Sequence, residues 1–160
     1  MNVNDLMTRD PVTVRPELPV EAIVDLLVDR GINGVPVVDD KGALLGMVTT
    51  GDLIHRVADE RLDDPGPIWR ESFYKSVFSG TEAEPNPAQG TTAAEVMTPD
   101  PAYVAPSDDM AVAARLLIEH RVNSLPVLDA GRVVGLVSRL DLLRCLRGHP
   151  DCCNPFKRHD

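Results

Sequence analysis

The sequence predicts an α/β (α+β) chain built from two β-α-β-β-α repeats that face each other across a pseudo-twofold axis. Three observations carry that reading. The first is duplication: DLMTRDPVTVRP, Asp5 to Pro16, returns ninety positions later as EVMTPDPAYVAP, Glu95 to Pro106. INGVPVVD, Ile32 to Asp39, likewise matches VNSLPVLD, Val122 to Asp129, and LGMVTTGDLI, Leu45 to Ile54, matches VGLVSRLDLL, Val134 to Leu143. The second is periodicity, because each copy alternates short apolar runs with apolar residues at helical spacing. The third is size. One unit of about fifty residues buries too little surface to stand alone, whereas two can cover each other's sheet faces.

The elements follow in order. Val12 to Val14 is short, β-branched and preceded by a proline, which suits an extended entry segment. Pro19 fits a first helical turn, and Ile23, Leu26 and Leu27 keep helical spacing until Gly31 ends the helix. Val35 to Val38 is a continuous apolar run, as in a buried strand. Asp40, Lys41 and Gly42 make the turn, and Ala43 to Thr49 the return strand. A last helix starts near Thr50 and carries Leu53, Ile54 and Val57. In the second copy Ser107 or Asp108 is the expected N-cap, Leu116 and Leu117 are core, and Val133 to Ser138 is the return strand. There the hairpin turn is one residue shorter, DAG against DDKG, a place where a length change is tolerated.

These elements divide the chain into a first repeat at 1–58, a linker at 59–93, a second repeat at 94–147 and a tail at 148–160. The linker holds four of the six aromatics, Trp69, Phe73, Tyr74 and Phe78. With Pro67 opening a helix over 67–79, Trp69, Phe73 and Val77 share one face. That face packs on its own module or dimer mate, or docks an unknown protein partner. Glu82 to Gly90 has no large apolar residue and reads as a mobile loop.

Composition narrows the function classes. The 160 residues include 25 acidic and 16 basic ones, a formal charge of −9 that argues against general binding to nucleic-acid phosphates. With 43% hydrophobic residues and mean hydropathy −0.10, the chain reads as a soluble globular protein. No apolar run approaches the roughly 20 residues of a membrane span, so no membrane partner is expected. MNVNDLMTRDP lacks the basic start and apolar stretch of a signal peptide. Three cysteines, Cys145, Cys152 and Cys153, are not a disulfide framework, which favours a reducing compartment, by default the cytoplasm. Together with His149 and His159 they could hold a thiophilic metal or sense redox state. Adjacent cysteines and the nearby Pro150 and Pro155 favour an ordinary tail, and no metal site is assigned.

The ordered segments M-T, D-P and h-x-V, then N-x-h-P-V-h-D, then G-h-V-[ST]-x-x-D-L, occur twice. They resemble the CBS repeat, named after cystathionine β-synthase, whose tandem pair is called a Bateman module. The likeness spans Val3 to about Val57 and Ala94 to about Leu146. It implies a regulatory module for adenosine-containing ligands (AMP, ADP, ATP or S-adenosylmethionine), commonly paired into a flat homodimer, with no catalytic cofactor. In that family the acid of G-h-V-[ST]-x-x-D bonds the ribose hydroxyls and the hydroxyl residue faces phosphate. Those positions are Thr49 with Asp52 and Ser138 with Asp141. The residues flanking the base would be Asn33, Gly34 and Val35, and Asn123, Ser124 and Leu125. Val14, and Tyr103 with Val104, would form the opposite wall, Tyr103 stacking on a purine.

A simpler reading stands beside this one. Thr49-x-x-Asp52 and Ser138-x-x-Asp141 also have the form of a capping box, which satisfies a helix start without any ligand. The copies differ near that motif. Arg139, Arg144, Arg147 and Arg121 stand where the first copy has Thr50, His55, Ala58 and Gly31. Either these arginines make the Ser138 cleft the one for phosphorylated ligands, or they are solvated helix-face charges. Residues 121–160 carry seven basic and four acidic residues, so this end is net basic despite the acidic whole. No nucleophile–base–acid set or phosphate-cradling loop is visible, which argues against an enzyme. The alternative to ligand sensing is a ligand-free structural or partner-docking dimer.

Overall fold

The computed structural model describes residues 1–54 and 91–148. The first copy runs α1 (Val3–Leu6), β1 (Thr8–Arg9), α2 (Val20–Arg30), β2 (Gly34–Val38), β3 (Leu44–Thr49) and a helix α3 whose described part is residues 50–54. The second runs α4 (Ala93–Val96), β4 (Thr98–Pro99), α5 (Met110–Glu119), β5 (Ser124–Asp129), β6 (Arg132–Ser138) and α6 (Arg139–Gly148). Both hairpins form where the apolar runs predict them: β2 is buried at every position, and so are Leu125, Pro126 and Val127 of β5. Two three-stranded sheets result, ordered β2-β3-β4 and β1-β6-β5.

That order contains what the repeat alignment left out. The opening helix and edge strand of each copy belong to the other copy's lobe. The Val3 and Asn4 amides donate to Asp108 O and Pro106 O (2.9 and 3.0 Å), and the Ala93 and Ala94 amides donate to Leu18 O and Pro16 O (2.9 and 3.0 Å). Val3 lies fully buried in the second core with Leu117, Leu125 and Val137. Ala93 and Val96 lie in the first core with Ile23, Leu27 and Val48. Fully burying a valine contributes about 1.5–3 kcal/mol, which holds the exchanged segment in place. Sequence repeats and structural lobes are therefore not coextensive.

Glycines make the exchange possible. A Cβ at Gly46 would meet Met97 Sδ at 2.6 Å and Thr98 O at 2.8 Å; at Gly135 it would meet Met7 Sδ at 2.5 Å and Thr8 O at 3.1 Å. Any larger residue would push the edge strand off its neighbour.

Three local expectations change. Val12 to Val14 forms no regular strand; Val14 alone makes a parallel bridge to Val37, donating to Pro36 O and accepting from the Val38 amide (both 2.9 Å). The N-cap of α5 is Asp109, whose carboxylate accepts from the Ala111 amide at 2.8 Å. Asp108 closes the preceding turn instead, accepting from the Ala105 amide at 2.7 Å. Leu53 packs against the first core as expected, but Ile54 is 66% exposed. The helix expected over 67–79, the loop 82–90, Val57, and the tail histidines with Cys152 and Cys153 lie outside the described residues. Among those described, no helix is long and apolar enough to cross a membrane.

Candidate functional site

Both hydroxyl–acid motifs fold as capping boxes at a strand-to-helix junction. The Thr49 amide and hydroxyl donate to Asp52 Oδ2 (2.8 and 2.9 Å), and the Asp52 amide donates back to Thr49 Oγ1 (3.2 Å). In the second copy the Ser138 amide and hydroxyl donate to Asp141 Oδ2 (2.8 and 2.6 Å), with the Asp141 amide donating to Ser138 Oγ at 3.3 Å. One carboxylate oxygen of each acid is thus committed to the cap. The other oxygen distinguishes the copies. Asp52 Oδ1 accepts from the Thr98 hydroxyl at 3.0 Å, a neutral donor from β4. Asp141 Oδ1 accepts from Arg144 Nη1 at 3.2 Å, forming an ion pair one turn along α6.

Asp52 lines a cleft of about 230 Å³ between the repeats. One wall is Met47, Thr49 and Asp52 with the β4 segment that follows Thr98, including Asp100 and Ala102. The facing wall is His120, Val122, Ser124 and Leu125, from the end of α5 and the start of β5. The site is therefore crossed: the hydroxyl–acid pair of the first copy meets the pre-proline residues of the second. Polar side chains on both walls, Thr49, Asp52, Thr98 and Asp100 facing His120 and Ser124, alternate with apolar ones, a lining that can orient a small polar molecule. At Asp52 a carboxylate able to accept from a diol stands at the start of a helix.

The structure distributes the other sequence-nominated residues differently. Gly34 and Val35 are buried in β2, outside this cleft; the pseudo-twofold relation carries Ser124 and Leu125 onto them and makes Ser138 and Asp141 their counterparts. Asn33 and Asn123 have exposed side chains, and their carbonyls accept from the Thr50 and Arg139 amides (2.9 and 3.0 Å). The expectation for Val14 and Val104 is corrected. Both are core residues, 4% and 1% exposed, so packing rather than a cleft wall takes their side chains. Tyr103 is 58% exposed and does not line the cleft. Arg139 also differs from the phosphate-facing role considered for it. Its Nε donates to Val122 O (2.9 Å) and its Nη2 to Leu117 O (3.1 Å), so it ties down the carbonyls at the end of α5.

Sequence reasoning missed Thr98, Asp100 and His120 as cleft residues. Nothing local marked His120, whereas for Thr98 and Asp100 the signal was the repeated M-T-x-D-P segment itself, read as a mark of duplication only. Its aspartates, Asp10 and Asp100, both hold left-handed backbone at φ 47° and 46°. Each turns the chain from the edge strand toward the cleft.

Comparison with known proteins matches this architecture. The family model described as CBS domain matches residues 3–59 and 93–148. The chloroplastic CBS domain-containing protein CBSX2 of Arabidopsis thaliana is 30% identical over 147 residues, covering 89% of this chain and 62% of that protein. A crystal structure of CBSX2 in complex with AMP has a TM-score of 0.69 and 29% identity, covering 92% of this chain and 96% of that one. The CBS domain pair of protein MJ0100, solved with 5′-methylthioadenosine and S-adenosyl-L-methionine, shares the fold at TM-score 0.70 and 21% identity, covering 92% and 97% of the two chains. Inosine-5′-monophosphate dehydrogenase of Mycobacterium tuberculosis is 31% identical over 140 residues, which are 86% of this chain and 21% of that enzyme. The chain thus spans about three fifths of the length of CBSX2, and much less of the dehydrogenase.

Proposed function

The chain belongs to the CBS-domain family as a tandem pair, and from that premise we propose that it is a regulatory module for an adenosine-containing ligand. The observation that carries the reading is the crossed cleft. Asp52 lines it with a carboxylate whose Oδ1, already accepting from the Thr98 hydroxyl, keeps a second lone pair for a ribose hydroxyl, and apolar residues of both repeats stand beside it. The complex of CBSX2 with AMP, a protein related along 92% of this chain, supports the ligand class. Thr49 and Ser138 serve as caps and as the hydroxyls nearest a bound phosphate or ribose. Ligand binding changes the relation of the two lobes, because the cleft is made by both and each lobe contains part of the other's sequence.

The module regulates rather than catalyses. In the dehydrogenase relative, the matched part is a fifth of the whole chain. We further propose that it acts as a homodimer through its helical faces. Val28 and Ile118, at matching positions of the repeats, are 73% and 71% exposed; Ile54 and Leu143, likewise matched, are 66% and 59% exposed. Large apolar side chains left exposed twice at the same repeat position fit a surface covered by a second copy. A reducing compartment such as the cytoplasm fits the cysteine content.

Thermal denaturation of the chain with AMP, ADP, ATP, adenosine and S-adenosylmethionine tests the ligand reading. A true ligand at a hundred times its Kd stabilises by about 2.7 kcal/mol, which raises Tm by several degrees. No rise with any of the five leaves only the ligand-free docking dimer.

A further inference from the structure

The crossed construction gives the two clefts different electrostatics. In the cleft at Asp52 the charged lining is two carboxylates, Asp52 and Asp100, with the His120 imidazole opposite. Asp52 receives a neutral hydroxyl from Thr98, so no arginine or lysine among the described residues offsets it there. The pseudo-twofold relation carries these positions to Asp141, Asp10 and Arg30 in the second cleft. There His120 is replaced by a permanently charged guanidinium, and Asp141 already holds a second one, Arg144. The first cleft's charged lining is thus two carboxylates and an imidazole, whereas the counterpart positions of the second carry two carboxylates and Arg30, with Arg144 paired to Asp141 beside them. Arginine is the residue suited to bind a phosphate by two parallel hydrogen bonds.

We propose that the two clefts sort adenosine ligands by charge. The cleft of Asp52, Asp100 and His120 takes an uncharged or cationic adenosine compound, a nucleoside or a sulfonium. The cleft of Asp141, Arg30 and Arg144 takes a phosphorylated one. This rests on the adenosine reading above and adds to it a division of labour and a stoichiometry. The module then reports the ratio of two adenosine species rather than the level of one.

Titration calorimetry of the full chain with adenosine, S-adenosylmethionine and AMP tests it, using His120→Arg and Arg30→His to exchange the charges of the clefts. Both substitutions leave the hydroxyl–acid caps intact, and ligand-free melting verifies the fold. The chain should bind one AMP, and adenosine should still bind when AMP is saturating. Arg30→His should weaken AMP at least tenfold and leave adenosine unchanged, while His120→Arg should raise AMP binding to two per chain. Arg144→Gln gives an independent cut at the second cleft and should weaken AMP similarly. Two equivalent AMP sites in the unmodified chain, or unchanged AMP affinity in both Arg30→His and Arg144→Gln, overturn the sorting but not the adenosine reading. No heat with any of the three compounds overturns both.

Discussion

The first repeat caps its long helix with Gly31, and the second, whose cap is His120, places Arg121 at the position matching that glycine. Gly31 sits at φ 61° and Arg121 at φ 54°, the same left-handed turn in both. The closing bonds also match: Ile32 donates to Leu27 O at 3.1 Å and Val122 to Leu117 O at 3.2 Å. Left-handed backbone costs a non-glycine residue about 1–2 kcal/mol. The second repeat offsets that cost with Arg139, which donates to the carbonyls of Val122 and Leu117. Thr50, at the matching position of the first repeat, makes no such side-chain bond in the structure's described part. The comparison teaches that geometry is shared by the repeats while its support is not. An arginine that looks in sequence like phosphate chemistry is spent on a helix end.

The largest expected effect tests the symmetric part. Gly46→Ala should destabilise the chain by about 2–3 kcal/mol in denaturant unfolding, because the new methyl meets the Thr98 carbonyl, which is backbone and cannot step aside. Gly135→Ala should cost less, about 1–2 kcal/mol, since its closest neighbour is the flexible Met7 side chain and its carbonyl contact is looser. Equal losses, or none, would remove the close approach as the reason for glycine at these positions.

The asymmetric part is tested by a second pair. Arg139→Ala should cost about 1–2 kcal/mol through two lost bonds to carbonyls, whereas Thr50→Ala should cost under about 0.5 kcal/mol. Arg121→Gly should stabilise by about 0.5–1 kcal/mol, once relief of the left-handed strain is set against the freer unfolded chain. Thermal melts of the three variants check this. A destabilised Arg121→Gly chain would show that Arg121 makes a contribution beyond its backbone.

The smallest effect concerns the hairpins. Asp39 accepts from the Ala43 and Lys41 amides (2.9 and 2.8 Å), and these bonds hold its carboxyl below the usual aspartate range. A lowered pKa means that its stabilisation is full above the unfolded value and is lost as pH falls through the folded one. The second hairpin instead turns on Ala130 and Gly131, at φ 47° and 78°, in a two-residue loop with no carboxylate clasp. Amide exchange at Lys41 and Ala43 should therefore accelerate in acid relative to amides flanking Ala130 at the same pH. Parallel exchange profiles of the two hairpins would remove the clasp.

Much of the fold was legible because its signals are local. The β2 and β5 runs are apolar at nearly every position, Gly31 marks a helix end, and the shortened DAG turn lies where a two-residue hairpin replaces a longer one. The capping boxes were legible for the same reason: donor and acceptor lie three residues apart. Val14 and Val104 were misread because a valine on an extended segment has the same local pattern whether it faces a cleft or a core. Asp109 took the cap from its neighbours for a similar reason. Three successive polar residues, Ser107 to Asp109, all suit a cap, and only the path of the chain chooses among them.

Sequence by itself determined that there are two copies, that each contains a long helix and a β-hairpin, and where the hydroxyl–acid pairs stand. Duplication, apolar period and capping are all written within a few residues of one another. Tertiary structure alone decided that each copy lends its first helix and edge strand to the other, and so that Thr49 and Asp52 face Ser124 and Leu125 across one cleft. It also decided that Arg139 holds a helix end while Asp141 pairs with Arg144. These are contacts between segments many residues apart. They depend on which of two nearly identical partners lies nearer once both cores have closed, and two copies of one pattern carry no mark of that choice.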